Sequence, residues 1–304
     1  MKQKSMTALV SAFSRAYHSL NNEVTIFNDS VARQLLTDEE YRQIARNMSD
    51  GIEFFNPLFV GEPEQALRWI VDNQLSPSPL GRAAFAEKSL EQAVQVGAKQ
   101  YIIFGAGYDT FAYRQPSWAD TLEIFEIDQP ATAKDKQERL KNANLVIPHN
   151  VHYIEADFTK EAWEDALLNH EAFDSNKISC CTILGVTYYL SRQTFETLIS
   201  VISNLFPKGS PIIFDYPDEK NYTEKAGERA KKLSMLASAA NEKMLASYSH
   251  CDMEFLLSSH DFLISEHLTP QEMTEGYFKT YNKANSLHRM TAFDNVNYCL
   301  AIRK

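Results

Sequence analysis

The sequence predicts an α/β fold built on a Rossmann-like, mostly parallel sheet, and three observations carry that expectation. An apolar strand over 101–104 runs straight into the glycine turn Gly105-Ala106-Gly107. A second apolar strand ends in acid at Glu126-Ile127-Asp128. From there to residue 216, strand-like and helix-like segments largely alternate, the signature of a doubly wound sheet.

The elements follow in order. Met6, Leu9, Val10, Phe13 and Tyr17 recur at helical spacing, and Arg15 and His18 lie among them. Phe54, Phe55, Pro57 and Phe59 read as a packed loop. A helix is expected over 62–74, with Leu67, Ile70 and Val71 inward and Pro63 in its first turn. Pro77 and Pro79 are expected to break the chain. The next helix starts at Arg82, carries Phe85, Leu90, Ala93 and Val94, and stops at Gly97. Strands are expected over 101–104, 122–127, 151–155, 178–184 and 211–216. Between them lie helices over 131–142, 160–169 and 194–206, the last capped by Ser191. Residues 220–248 read as helical again. A strand over 262–267, a helix over 270–279 and a strand over 297–302 complete the chain, the two late strands suiting an antiparallel hairpin.

Length and composition fit a globular enzyme. The 304 residues are 44% hydrophobic and 12% aromatic, enough for a substantial core and against wholesale disorder. A formal charge of −10 repels a phosphate backbone, so nucleic acid is not an expected partner. Cys180, Cys181, Cys251 and Cys299 show no metal-binding spacing, and the adjacent pair sits in an apolar run as reduced core packing. With neither a signal-peptide pattern nor a bilayer-spanning apolar run in view, the expectation is a cytoplasmic protein without a membrane partner.

The turn selects the ligand. Glycine has no Cβ and tolerates positive φ, so backbone can approach a bound group closely. An acid at the tip of the next strand suits a ribose diol. The dinucleotide pattern wants a third glycine, which is Thr110 here, and no basic side chain lies in the turn. An Asp in the loop, Asp109, suits a cofactor that carries an ammonium and a sulfonium instead of phosphate. S-adenosylmethionine is that cofactor.

With these residues in view, the chain resembles the PPM, or leucine carboxyl methyltransferase, family of class I methyltransferases, including its bacterial tetracenomycin-type O-methyltransferases. The likeness rests on Ser78-Pro79-Leu80-Gly81-Arg82; on Phe104 to Thr110 with Tyr113-Arg114; on Phe125-Glu126-Ile127-Asp128-Gln129-Pro130; on Ala156-Asp157-Phe158; and on Leu184-Gly185-Val186-Thr187-Tyr188-Tyr189-Leu190. It is firm over 75–216. The resemblance implies a helical N-terminal lid over 1–81, a cofactor-binding core over 82–217, a helical insertion over 218–260 and C-terminal strands over 261–304, all in one methyltransferase domain. It implies that Arg82 meets the methionine carboxylate, Gly105 and Gly107 admit the cofactor, and Asp128 holds the ribose. Asp109 either faces the ammonium or stabilises the turn. Asp157 and the Phe158 backbone would meet the adenine. Many members carry an acid at the position of Leu184, so only the backbone there is expected to face the cofactor.

Methyl transfer needs alignment and exclusion of water, and no dedicated base is recognisable, which tilts the expected acceptor toward a carboxylate or acidic hydroxyl of a small molecule. Tyr188, Tyr189 and Tyr216, at or beyond strand ends, are candidates for the acceptor pocket. Arg15 and Tyr17 are candidates for binding an anionic acceptor from the lid. Competing readings are a protein carboxyl methyltransferase, an NAD-dependent oxidoreductase and a degenerate cofactor-binding subunit. The oligomeric state, monomer or homodimer, is left open.

Overall fold

In the computed structural model, which describes residues 5–160, 163–239 and 244–304, seven strands form one sheet in the order β3-β2-β1-β4-β5-β7-β6. They are β1 Gln100–Phe104, β2 Glu123–Asp128, β3 Val151–Glu155, β4 Ser179–Ile183, β5 Pro211–Pro217, β6 Phe262–Leu268 and β7 Val296–Arg303. The first five run parallel, and β7 pairs antiparallel with both β5 and β6. This is the expected Rossmann-like, mostly parallel sheet with a terminal antiparallel hairpin. Strand order reverses between β1 and β4, which puts a ligand crevice at their C-terminal ends. Registers Phe104↔Ile127 and Phe104↔Ile183 bring the ends of β2, β1 and β4 level.

Both faces of the parallel strands are covered, so the strands read as continuous apolar runs. Tyr101 and Ile103 pack on one face with Phe85 and Leu90 of helix Pro77–Gln95. Ile102 and Phe104 pack on the other with Trp163, Phe195 and Ile199. The period of two sends Cys180 and Cys181 into these opposite cores, and both are free thiols. A third core joins helix Met6–Asn21, through Ala12, Phe13 and Ala16, to helices Asp38–Asp50 and Pro63–Ile70.

Four local expectations are revised. Pro77 and Pro79 do not break the chain; they lie in the first turn of helix Pro77–Gln95, where backbone N–H groups lack intrahelical partners and proline removes nothing. The helix expected over 62–74 is helix Pro63–Ile70 followed by a wider π-type turn, Val71–Leu75, closed by the Ser76 N–H on the Val71 carbonyl at 2.9 Å. In the insertion, the regular helix is Glu228–Ala239, with residues 240–243 outside the described residues; helix His250–Ser259 packs Met253 and Leu257 onto the sheet. The helix expected over 160–169 is described as Trp163–Leu168, residues 161 and 162 lying outside the described set. Ser191 caps helix Arg192–Leu205, accepting the Thr194 N–H at 3.0 Å. No helix among the described residues is long and apolar enough to cross a membrane.

Two buried groups make the fold sensitive to charge. Glu126, inside β2, meets Lys136 at 2.6 Å with both side chains almost fully buried. Burial pushes the Glu126 carboxyl up to about 7 against the opposing pull of Lys136. Without Lys136 the Glu126 carboxyl is buried unpaired and takes a proton unless the pH is well above 7, so Lys136→Met is expected to destabilise the fold in urea unfolding, by up to about 3–5 kcal/mol in alkaline buffer and less at neutral pH. The double variant Glu126→Gln/Lys136→Met is expected to recover most of that loss.

His18 is fully buried, and its Nε2 accepts the Ile26 N–H at 3.0 Å. Burial first, then Arg68, lowers its pKa to about 4. Between its ordinary value near 6.5 and about 4, the unfolded chain takes a proton that the folded chain refuses. The stabilisation is complete above that window and is lost as pH falls through it. Denaturant melts across this range should therefore show a flatter pH dependence for His18→Gln, by up to about 3 kcal/mol.

Candidate cofactor site

The site forms where the strand ends meet the glycine turns. After β1 the chain passes through Gly105 at φ +67° and Gly107 at φ +49°. Gly105 donates its N–H to the Ile127 carbonyl at 2.8 Å. Gly107 donates to the Asp128 carboxylate at 2.6 Å, and the same carboxylate accepts the Gln129 N–H at 2.6 Å. Burial pushes the Asp128 carboxyl up, against these two backbone donors. A Cβ on Gly105 would lie 2.6 Å from Val186 Cγ2 and 3.5 Å from the Phe158 ring. Val186 thus packs directly on the bare Gly105 backbone beside Phe158, a cradle that admits no side chain at 105.

A second turn mirrors the first. After β4, Gly185 adopts φ +66° and donates its N–H to Asp215 on the adjacent β5 at 2.6 Å. The Arg82 guanidinium packs directly on this glycine; a Cβ there would fall 2.6 Å from its Cζ. Arg82 also faces Asp215 at 3.7 Å and donates to Ser11 Oγ at 3.4 Å. The Tyr188 hydroxyl donates to Asp215 at 2.8 Å. Burial, reinforced by Asp215, raises the Tyr188 phenol far above its ordinary value, so it stays protonated. Leu184, between β4 and Gly185, is half-buried against the core.

The remaining candidates are distributed less evenly. Asp109 accepts the Phe111 N–H at 2.8 Å, closing the turn locally. Asp157 accepts the Thr159 hydroxyl at 2.5 Å and pairs with Lys160 at 3.1 Å, while Phe158 stacks edge-on with Phe104. Arg15 is placed differently from an acceptor-binding cation. Its guanidinium is buried, pairs with Asp29 at 2.8 Å and donates to the Tyr108 carbonyl at 2.6 Å. It fastens helix Met6–Asn21 to the glycine turn, and Ala8 lies 3.5 Å from the place a Gly107 Cβ would take. Tyr17 has Arg68 and Asp72 as its charged neighbours. Tyr188 and Tyr216 belong to cores on opposite faces of the sheet, and the buried Tyr216 hydroxyl bonds His267 at 2.8 Å. Tyr189 is half-buried beside Tyr188.

Sequence reasoning missed Asp215, Ser11 and Asp29. The signal for Asp215 was present, since an acid inside the buried run Ile212-Ile213-Phe214-Asp215-Tyr216 needs partners. Ser11 and Asp29 carry no such mark, because their partners are distant in sequence.

Residues 8–203 match the family described as leucine carboxyl methyltransferase. The chain belongs to that family of S-adenosylmethionine-dependent methyltransferases. It is 39% identical over 307 aligned positions, covering 99% of both chains, to YktD of Bacillus subtilis, assigned as an S-adenosyl-L-methionine-dependent methyltransferase. Another protein so assigned, Rv3399 of Mycobacterium tuberculosis, is 29% identical over 219 positions, 70% of this chain and 60% of the relative. In fold, the chain is similar to a DUF574-family protein of Streptomyces avermitilis, with a TM-score of 0.57 and 11% identity over 97% of each chain. It is likewise similar to a protein of Thermobifida fusca solved as a methyltransferase, with a TM-score of 0.55 and 13% identity over 99% of this chain and 96% of that one.

The cradle is open to a direct test. Gly105→Ala places a Cβ at positive φ and against Val186, costing about 1–2 kcal/mol from the backbone conformation alone. The variant is expected to melt lower than wild type and to lose S-adenosylhomocysteine binding by calorimetry.

Proposed function

We propose that this protein is an S-adenosylmethionine-dependent O-methyltransferase acting on a carboxylate or hydroxyl of a small molecule. The donor set fits the cofactor: bare glycine backbone beside Phe158, a ribose-suited acid at Asp128, and a cation at Arg82 for the methionine carboxylate. When bound, that group supplies an electrophilic methyl on sulfonium for in-line displacement. The chain's own residues bind, orient and exclude water, Ala8 and Ser11 of the N-terminal helix lying against the Gly107 turn and Arg82.

The observation that carries the acceptor class is the state of Asp215, the acid beside the Gly185 turn. It already takes the Gly185 N–H and the Tyr188 O–H and faces Arg82. A carboxylate acceptor is ionised at neutral pH and asks nothing of this saturated acid, whereas an ordinary alcohol would need a free base. The family's description favours a second reading, in which the acceptor is the terminal carboxylate of a protein.

Calorimetry with S-adenosylhomocysteine and NAD on wild type and Asp128→Ala tests the cofactor. Binding of the first alone, reduced at least tenfold in the variant, is expected; no binding by folded wild type would remove the methyltransferase reading. Methyl transfer from labelled cofactor to a panel of small carboxylic acids, phenols and carboxyl-terminal peptides then separates the acceptors. Turnover confined to the peptides would replace the small-molecule reading with the protein one.

A further inference from the structure

The two glycine turns are built on one plan. Around the central pair β1 and β4, each turn is pinned by an acid from the strand flanking it: Gly107 by Asp128 of β2, and Gly185 by Asp215 of β5. Both bonds are 2.6 Å, and each turn glycine has positive φ. Asp128 is half-buried, and its two carboxylate oxygens accept the Gly107 and Gln129 N–H groups. Asp215 is fully buried and is saturated by the chain itself.

We propose that Asp215 is the positioning residue for the amino-acid end of the cofactor, acting through Arg82 and the Gly185 turn. This rests on the cofactor reading given above. Arg82 comes from helix Pro77–Gln95, and its guanidinium is wedged among Gly185, Asp215 and Ser11. A mobile arginine would lose side-chain freedom on binding a carboxylate; one held in place beforehand loses less. Asp215 supplies that hold twice over. Its charge faces Arg82, and its bond to the Gly185 N–H fixes the bare backbone surface on which the guanidinium rests. Leu184 brings no acid to this strand end, so the negative charge arrives from the next strand.

The surroundings keep Asp215 in register. The Thr187 hydroxyl donates to its carbonyl at 2.6 Å, and the Tyr188 phenol occupies its second carboxylate oxygen. Opposite it in the antiparallel register stands Tyr298, whose buried hydroxyl has no hydrogen-bond partner among the described residues. That hydroxyl lies 3.0 Å from the position a Gly81 Cβ would take, next to Arg82. The glycine lets helix Pro77–Gln95 approach β7 at the point where Arg82 leaves the helix.

The test uses two ligands that differ at one end. S-adenosylhomocysteine carries the amino-acid moiety, and 5′-methylthioadenosine keeps the nucleoside and sulfur without it. Calorimetry on wild type and Asp215→Asn should show S-adenosylhomocysteine affinity falling at least tenfold and methylthioadenosine affinity changing less than twofold. Asp128→Asn should weaken both ligands. Against an Arg82→Gln background, Asp215→Asn should cost little further affinity, because the route through Arg82 is already gone. If Asp215→Asn does not fold, Asp215→Glu, which moves the carboxylate by one methylene, is expected to give the same selective loss. Equal loss of both ligands would make Asp215 a fold residue only, and unchanged S-adenosylhomocysteine affinity would overturn its role outright. Binding of neither ligand by wild type would instead remove the cofactor reading, and this inference with it.

Discussion

The structure depends on acids of the flanking strands that hold glycine turns in a conformation other residues resist. Positive φ at Gly105, Gly107 and Gly185 bends the chain sharply at the ends of β1 and β4 and exposes backbone N–H groups there. Left without partners in a half-buried crevice, such groups are costly. Asp128 and Asp215 accept those of Gly107 and Gly185, and the Ile127 carbonyl accepts that of Gly105, all from the flanking strands, so sheet register and turn geometry become one constraint. The crevice at the switch point is shaped by strand pairing as much as by the glycines.

The N-terminal helix is fastened to this crevice through a second buried acid. Asp29 accepts the Arg15 guanidinium, the Thr110 hydroxyl and the Ala32 N–H, and lies 3.7 Å from Arg114. Arg114 in turn pairs with Glu87 on helix Pro77–Gln95. Thr110 occupies the place of the third glycine in a dinucleotide motif, and its hydroxyl donates to Asp29 at 2.7 Å, a bond that glycine lacks the side chain to make.

These networks place ionic groups where water is scarce, and each is weak evidence for stability but strong evidence for specific geometry. Glu126 and Lys136 sit beneath the same turn that Asp128 pins, one pair of residues back along β2. Truncating one member of such a pair strands a charge, whereas altering both together is mild. The fold therefore tolerates changes in these networks mainly when they are made as pairs.

The strands, the glycine turns, the acid that ends β2 and the closing hairpin were legible in the sequence, because each is written in a local pattern: an apolar run, a Gly pair, an acid at a strand tip. Helix Pro77–Gln95 is longer than its local pattern suggests, because proline breaks a helix interior but fits its first turn, and only the fold shows where that turn begins. Arg15 could be placed on a helix, but its carbonyl partner on Tyr108 is 93 positions away, and nothing local announces that contact. Tyr188 and Tyr216 both follow or end strands, yet only the tertiary packing puts them on opposite faces. Asp215 shows the division most clearly. The sequence determined that a charge lies inside a buried strand; the sheet order alone decided that it would sit beside Gly185 and Arg82, since parallel neighbours are chosen by long-range packing and not by adjacency in the chain.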